Sequence, residues 1–430
     1  MTNAVRAALH AWKDAIDNRD IDGFIAMYSE SFTDPEDGGA LDQLRTSYER
    51  VFADPRKQAL IHDISCAEIS VDGDRAVAEP VHVTDLHSCL LTRIVFVNED
   101  GAWKIREASV RDRKPVEYAM PGHGSGYVKT LESWTSGQLT WIRETLRANP
   151  PASGDLALRR HAISALDEPL HLRSAPLLDS VRDYLRGGID DVLTQIRGET
   201  ITDGVVIWKL YNHGWIVKSA EQTWGFDIYE GFGKATMTSE QVDGLLDQID
   251  VLSCSHWHRD HASPPVIKRA LEMDIPVLLP PLPGGELGKY LGREFRGAEH
   301  IWGEGSGEAG GIPYHVYQGH QDHRPNNVFV ANVGGTKVMQ SGDQWNPDDY
   351  EWIDRVGVEH DVDVLLTWMA DLQRITQGVR PRVVIPGHEN ELGHLFEHRE
   401  PYDQAYERTE QVDCETYVLA WGERVAIPTA

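Results

Sequence analysis

The sequence predicts an α+β protein, with two folded domains and a helical connection between them. Three observations carry that expectation. Apolar residues recur at helical spacing from Val5 to Tyr28, then give way to long alternating and β-branched segments as far as Val110. Helical spacing returns between Pro121 and Thr200. From Val205 onward short strand-like runs alternate with helix-like ones, with hairpins among them. At 430 residues and 41% hydrophobic content, the chain can bury two or three cores of roughly 150 residues each.

Taken in order, Val5, Ala8, Leu9, Trp12 and Ile16 mark a first helix, and Ile21, Phe24, Ile25 and Tyr28 a second. A cap is expected between them near Asn18 to Asp20. A third helix is expected over Leu41 to Phe52. Strands are expected at Leu60 to Val71, Arg75 to Leu86, Leu90 to Val97 and Trp103 to Val110, with turns at Asp72-Gly73-Asp74 and Asn98 to Gly101 making them a meander. This places a first domain at 1–118.

The segment 119–200 reads as a linker with two or three helices. It is broken around Asn149-Pro150-Pro151, and Val181, Tyr184, Leu185, Ile189, Val192, Leu193 and Ile196 mark its last helix. The second domain, 201–430, is expected to hold strands at Val205 to Leu210, Trp215 to Lys218, Gly225 to Tyr229, Val251 to Ser255, Pro276 to Pro280 and Tyr314 to Gln318. A hairpin follows at Val328 to Val333 and Lys337 to Gln340, then a strand at Val383 to Ile385. Helices are expected at Ser239 to Gln248 and Val266 to Met273.

The formal charge of −27, from 41 basic and 68 acidic residues, argues against tracking a nucleic-acid backbone or an anionic membrane. A small-molecule substrate is expected instead. Four scattered cysteines (Cys66, Cys89, Cys254, Cys414) predict neither a disulfide framework nor a thiolate zinc site, and fit a cytoplasmic protein. No stretch approaches the ~20 apolar residues of a membrane span.

The densest chemical signal is His256-Trp257-His258-Arg259-Asp260-His261. It packs three imidazoles and a carboxylate into six positions between a strand and a helix. A tag-like tract would repeat one residue type; this is an ordered set of metal donors. His256 and His258 can face one ion from an extended strand end, while Asp260 and His261 on the following turn can reach another. Gly319-His320, Ser341-Gly342-Asp343 and Pro386-Gly387-His388 each end or follow an expected strand.

In this order the motifs resemble the metallo-β-lactamase superfamily over Val205 to about Glu410. The resemblance implies an αββα sandwich in which His256, His258 and His320 hold one ion, Asp260, His261 and His388 a second, and Asp343 bridges them. His323 is the alternative to His320, and Asp227 matches a supporting acidic position. Helices followed by a curved sheet in about 115 residues similarly resemble an NTF2-like or SnoaL-like cone. Such domains commonly dimerise, so a homodimer is expected.

The implied function is a dinuclear metal-dependent hydrolase of an ester, lactone, thioester, amide or phosphodiester in a small molecule. All-N/O donors suit zinc by default, with manganese or iron also compatible. Two cations lower the pKa of a bridging water from about 15.7 to about 7, and Asp260 is expected to orient that nucleophile and accept its proton. The alternatives are an iron-dependent oxidoreductase on the same fold, or small-molecule binding or cyclase chemistry in the N-terminal pocket. Trp12, Tyr28, His62, His82, His87 and Arg93 are the candidates in that pocket. His360, His394 and His398 read as solvated surface residues.

Overall fold

The computed structural model describes residues 2–33, 40–53, 61–64, 67–84, 88–115, 125–151, 156–394 and 398–429. The chain divides into two compact units. One comprises Met1–Ala119 with Leu282–Arg293, the other Met120–Pro281 with Glu294–Ala430. The helices between Ser125 and Gly198 therefore belong to the larger unit.

In the smaller unit the helix Thr2–Asp17 buries Val5, Leu9, Trp12 and Ile16. The break expected near Asp20 is a cap: its carboxylate accepts from the backbone N–H of Gly23 at 3.0 Å and starts the helix Ile21–Ala26. A helix at Leu41–Ala53 and a five-stranded antiparallel sheet follow. The strand expected over Leu60 to Val71 is two, Ile61–Asp63 and Glu68–Asp72, both paired with Arg75–Thr84. Register shifts between Ala78 and Val81, Leu91 and Thr92, and Val95 and Phe96 mark bulges, which bend and twist a sheet. Trp12 and Tyr28 belong to this core and bond to each other, indole Nε1 to phenol oxygen, at 3.1 Å. Arg93 is paired with Glu79 and Glu107 at 3.3 and 3.7 Å. His82 is half-buried, while His87 and the side chain of His62 lie outside the described residues.

The larger unit contains two seven-stranded sheets. One, ordered from its edge, contains Glu299–His300, Val277–Leu279, Val251–Ser253, Thr223–Phe226, Trp215–Lys218, Val205–Lys209 and Arg424–Ile427. The other contains Gly305–Ala309, Ile312–Gln321, Arg324–Val333, Thr336–Gln340, Val364–Trp368, Val383–Gly387 and Glu415–Thr416. Their inner faces share one core: Ile207, Val217, Trp224 and Val251 from the first sheet pack with Val316, Phe329, Leu366 and Ile385 from the second. The outer face of the second sheet is covered by the helices Tyr350–Glu359 and Leu372–Val379, through Ile353, Val356, Ile375 and Val379. Helix, sheet, sheet, helix is the α+β sandwich the residues predict. The strand Val364–Trp368, buried over its first four positions, carries no alternation to expose it in the sequence.

One expected boundary moves with consequence. The strand expected to stop at Gln318 runs to Gln321 and pairs, residue for residue, with Arg324–Val333. No described helix is long and apolar enough to cross a membrane.

Candidate metal centre

The candidate metal-holding side chains lie just beyond strand ends of both sheets. Val251–Ser253 delivers the loop Ser255 to His261, and Ser263 closes it by capping the helix Pro264–Glu272 with its hydroxyl. Thr336–Gln340 delivers Asp343 across Gly342, which has φ +53. A Cβ on Gly342 would stand 2.2 Å from Asn326 Oδ1 and 2.6 Å from Ser255 Cβ, so only glycine brings Asp343 this close to the histidine loop. Val383–Gly387 delivers His388, itself at φ +81.

Four of these residues converge. His261 Nε2 lies 3.4 Å from Asp260 Oδ2 and 3.3 Å from Asp343 Oδ1. His388 Nε2 lies 3.4 Å from Asp260 Oδ2 and 3.5 Å from Asp343 Oδ2. Donors spread tetrahedrally at about 2.0–2.1 Å from an ion stand roughly 3.3–3.4 Å apart; Asp260, His261 and His388 offer donor atoms close enough to share one ion, and Asp343, which joins a similar group with His256 and His258, borders them with one oxygen toward each imidazole. All four side chains are buried or nearly so, and His261 Nε2, His388 Nε2 and Asp343 Oδ1 have no hydrogen-bond partner. Orphaned buried polar atoms are costly unless something occupies the space between them.

The electrostatics agree. Burial alone would push these imidazoles down, yet Asp343, Asp260 and Asp227 hold His261 well above its ordinary value, and Asp343 and Asp260 hold His388 up at about 9. Burial would raise Asp260 and Asp343, but His261 holds both well below the usual carboxylate range. Three buried carboxylates thus demand positive charge at this point, and a metal ion answers the same demand.

Supporting contacts aim the donors. Asp227, at the end of Thr223–Phe226, accepts from Ser255 N (2.7 Å), Ser255 Oγ (2.8 Å), His261 Nδ1 (2.8 Å) and Gln340 Nε2 (2.6 Å). With Nδ1–H engaged, the Nε2 lone pair of His261 faces the cage. Asn212 Nδ2 donates to Asp260 Oδ2 at 3.0 Å. Behind His388, Lys209 and Glu389 form an ion pair with no exposed surface, and Lys209 also reaches Pro386 O.

A second group gathers His256, His258 and Asp343, with His256 Nε2 3.8 Å from Asp343 Oδ2. His320, expected as its third imidazole, is not there. Its Nδ1 bonds Asp349 at 3.1 Å, and among the described residues no metal-holding group includes it. The physical reason is the longer strand. Successive side chains point to opposite faces, and Gln321 faces the centre, donating to Asp343 Oδ2 at 2.9 Å, so His320 faces away. His323 is no replacement, lying 3.4 Å from Asp322. Beside the group stands Arg324, whose Nη1 donates to His258 Nε2. Burial, then Arg324, hold His258 down at about 4.

Two histidines enter unforeseen. His394, expected on the surface, is two-thirds buried with Nε2 3.7 Å from Asp260 Oδ2 and its ring 4.9 Å from that of His388. Burial, then the His388 charge, keep it neutral, down at about 3. His213 is fully buried and forms a third group with Asp227 and His261. A Cβ on Gly387 would meet His213 Cδ2 at 2.3 Å, so Pro386-Gly387-His388 makes room for a ring that nothing in the motif announces.

No family model and no curated protein matches the chain. Among solved structures it is similar to Igni18, a metallo hydrolase from Ignicoccus hospitalis, at 16% identity and TM-score 0.41, covering 53% of this chain and 99% of that one. It is also similar to CmlA, a diiron beta-hydroxylase from Streptomyces venezuelae, at 13% identity and TM-score 0.38, over 54% of this chain and 55% of that one. An NTF2-like protein of unknown function from Pseudomonas putida is similar at 15% identity and TM-score 0.21, over 25% of this chain and 82% of that one.

Proposed function

We propose that the chain is a metal-dependent hydrolase of a small molecule, acting on an ester, lactone, thioester, amide or phosphodiester bond. One observation carries the reading: His261 Nε2 and His388 Nε2 stand 3.3 to 3.5 Å from carboxylate oxygens of Asp260 and Asp343, and both imidazole nitrogens and Asp343 Oδ1 are buried without a hydrogen-bond partner. A divalent cation held there, zinc by default given an all-N/O donor set, would supply Lewis acidity and an acidified water. The remaining work falls to the chain. Asp227 fixes the tautomer of His261, and Asn212 fixes Asp260 Oδ2, so the cage is set before substrate arrives. His394, neutral and a third exposed, stands at the rim with Nε2 toward Asp260. Neutral, it can offer a hydrogen bond to substrate at that edge of the centre.

Metal analysis of purified protein, with turnover of generic ester, lactone and phosphodiester substrates by wild type, Asp260→Ala and His388→Ala, tests the assignment. Bound zinc or manganese and turnover lost in both variants are expected. Turnover surviving in both moves the chemistry out of this centre, and iron with oxygen-dependent turnover replaces hydrolysis by oxidation.

A further inference from the structure

The two halves of the expected dinuclear centre are unequal, and the difference has a single source. Gln321 and Arg324 are direct partners in the ladder between the strands Ile312–Gln321 and Arg324–Val333. Cross-strand partners share a face of the sheet. Gln321 meets Asp343 and Arg324 meets His258, while His320, one position earlier, is turned onto Asp349. The first-ion pocket therefore lacks its third imidazole, and a guanidinium lies against one of the two it keeps. An imidazole nitrogen that accepts an N–H cannot offer the same lone pair to a metal. A guanidinium is charged at every working pH and repels a second cation at this range.

We propose that Arg324 takes the place of the first metal ion, so that the centre works with one ion, in the Asp260, His261, His388 and Asp343 cage, beside a fixed organic cation. This rests on the metal-centre reading above and not on the hydrolytic assignment. The guanidinium supplies positive charge without a coordination site.

Calorimetric titration of metal-stripped protein with zinc chloride, with elemental analysis of the product, tests this on wild type, Arg324→Lys, Arg324→Ala and Arg324→Ala/His256→Ala. Wild type and Arg324→Lys should each bind one zinc per chain. Arg324→Ala should take up a second at least about 100-fold more tightly than wild type does, and the double variant should return to one. Two zinc ions in wild type with affinities within about tenfold of each other, or a single zinc in Arg324→Ala with its circular dichroism unchanged, would overturn the proposal. If Arg324→Ala fails to fold, the wild-type and Arg324→Lys stoichiometries still decide. One zinc bound without hydrolysis of any substrate would sink the hydrolase assignment and leave this inference standing, whereas no zinc at all would sink both.

Discussion

Replacing Asp227 by Asn keeps the shape of a residue buried behind His261 and tests whether the cage depends on its support. Asp227 accepts four hydrogen bonds, one at Oδ1 from Ser255 N and three at Oδ2. If the amide oxygen of Asn takes the Oδ2 position, its NH2 faces the Ser255 N–H at 2.7 Å. One bond is then lost and a buried donor orphaned, at about 1–3 kcal/mol. The opposite placement loses three bonds. The bond from His261 Nδ1 also becomes a neutral one of roughly half the strength. Loss of a carboxylate behind a metal-binding imidazole typically costs 10- to 100-fold in metal affinity, or about 1.4–2.8 kcal/mol. Zinc affinity of Asp227→Asn, measured by chelator competition at neutral pH, should fall within that range while far-UV circular dichroism is retained. An affinity within about threefold of wild type would refute the claim that Asp227 sets the cage.

Three other perturbations follow from the same geometry. His320 is held above its ordinary value first by its bond to Asp349, against the opposing effect of burial. Its stabilising contribution is therefore complete below the unfolded value near 6.5 and is lost as pH rises through the higher folded value. NMR titration of zinc-loaded protein should show His320 titrating above 6.5, and lower in Asp349→Asn; a His320 that does not titrate would mean it is bound to metal after all. Lys209→Met leaves Glu389 buried and unpaired, and should destabilise the larger unit by about 3–5 kcal/mol in urea, with most of the loss recovered in Lys209→Met/Glu389→Met; equal loss in both variants would contradict the pairing. His394→Ala should keep its zinc and lose roughly 2- to 10-fold in turnover, the worth of one hydrogen bond, whereas loss of zinc would make His394 a ligand.

What the sequence shows of this site is what is local in the chain. His256 to His261 lie on one loop, and Asp343 and His388 each follow a strand through a glycine that the motif displays. The strand at Tyr314 to Gln318 was visible too, but its true end at Gln321 was not. Three further residues of strand decide that Gln321 faces the centre and His320 does not. Asp349 lies 29 residues along the chain from His320, and nothing local links the two. His213 and His394 are drawn in by the hairpin after Lys209 and the turn after Asn390. Single histidines in polar surroundings carry no periodic signal of burial. In the smaller unit, element order was legible because turns and helical spacing are local, whereas the division of Leu60 to Val71 into two strands depends on pairing with Arg75–Thr84.

Everything above turns on where the ion sits. Anomalous diffraction at the zinc edge from crystals of zinc-loaded protein tests it most directly. A peak is expected about 2.0–2.2 Å from Asp260 Oδ2, His261 Nε2, His388 Nε2 and a carboxylate oxygen of Asp343. A peak between His213 and Asp227, or none within reach of His388, would contradict it.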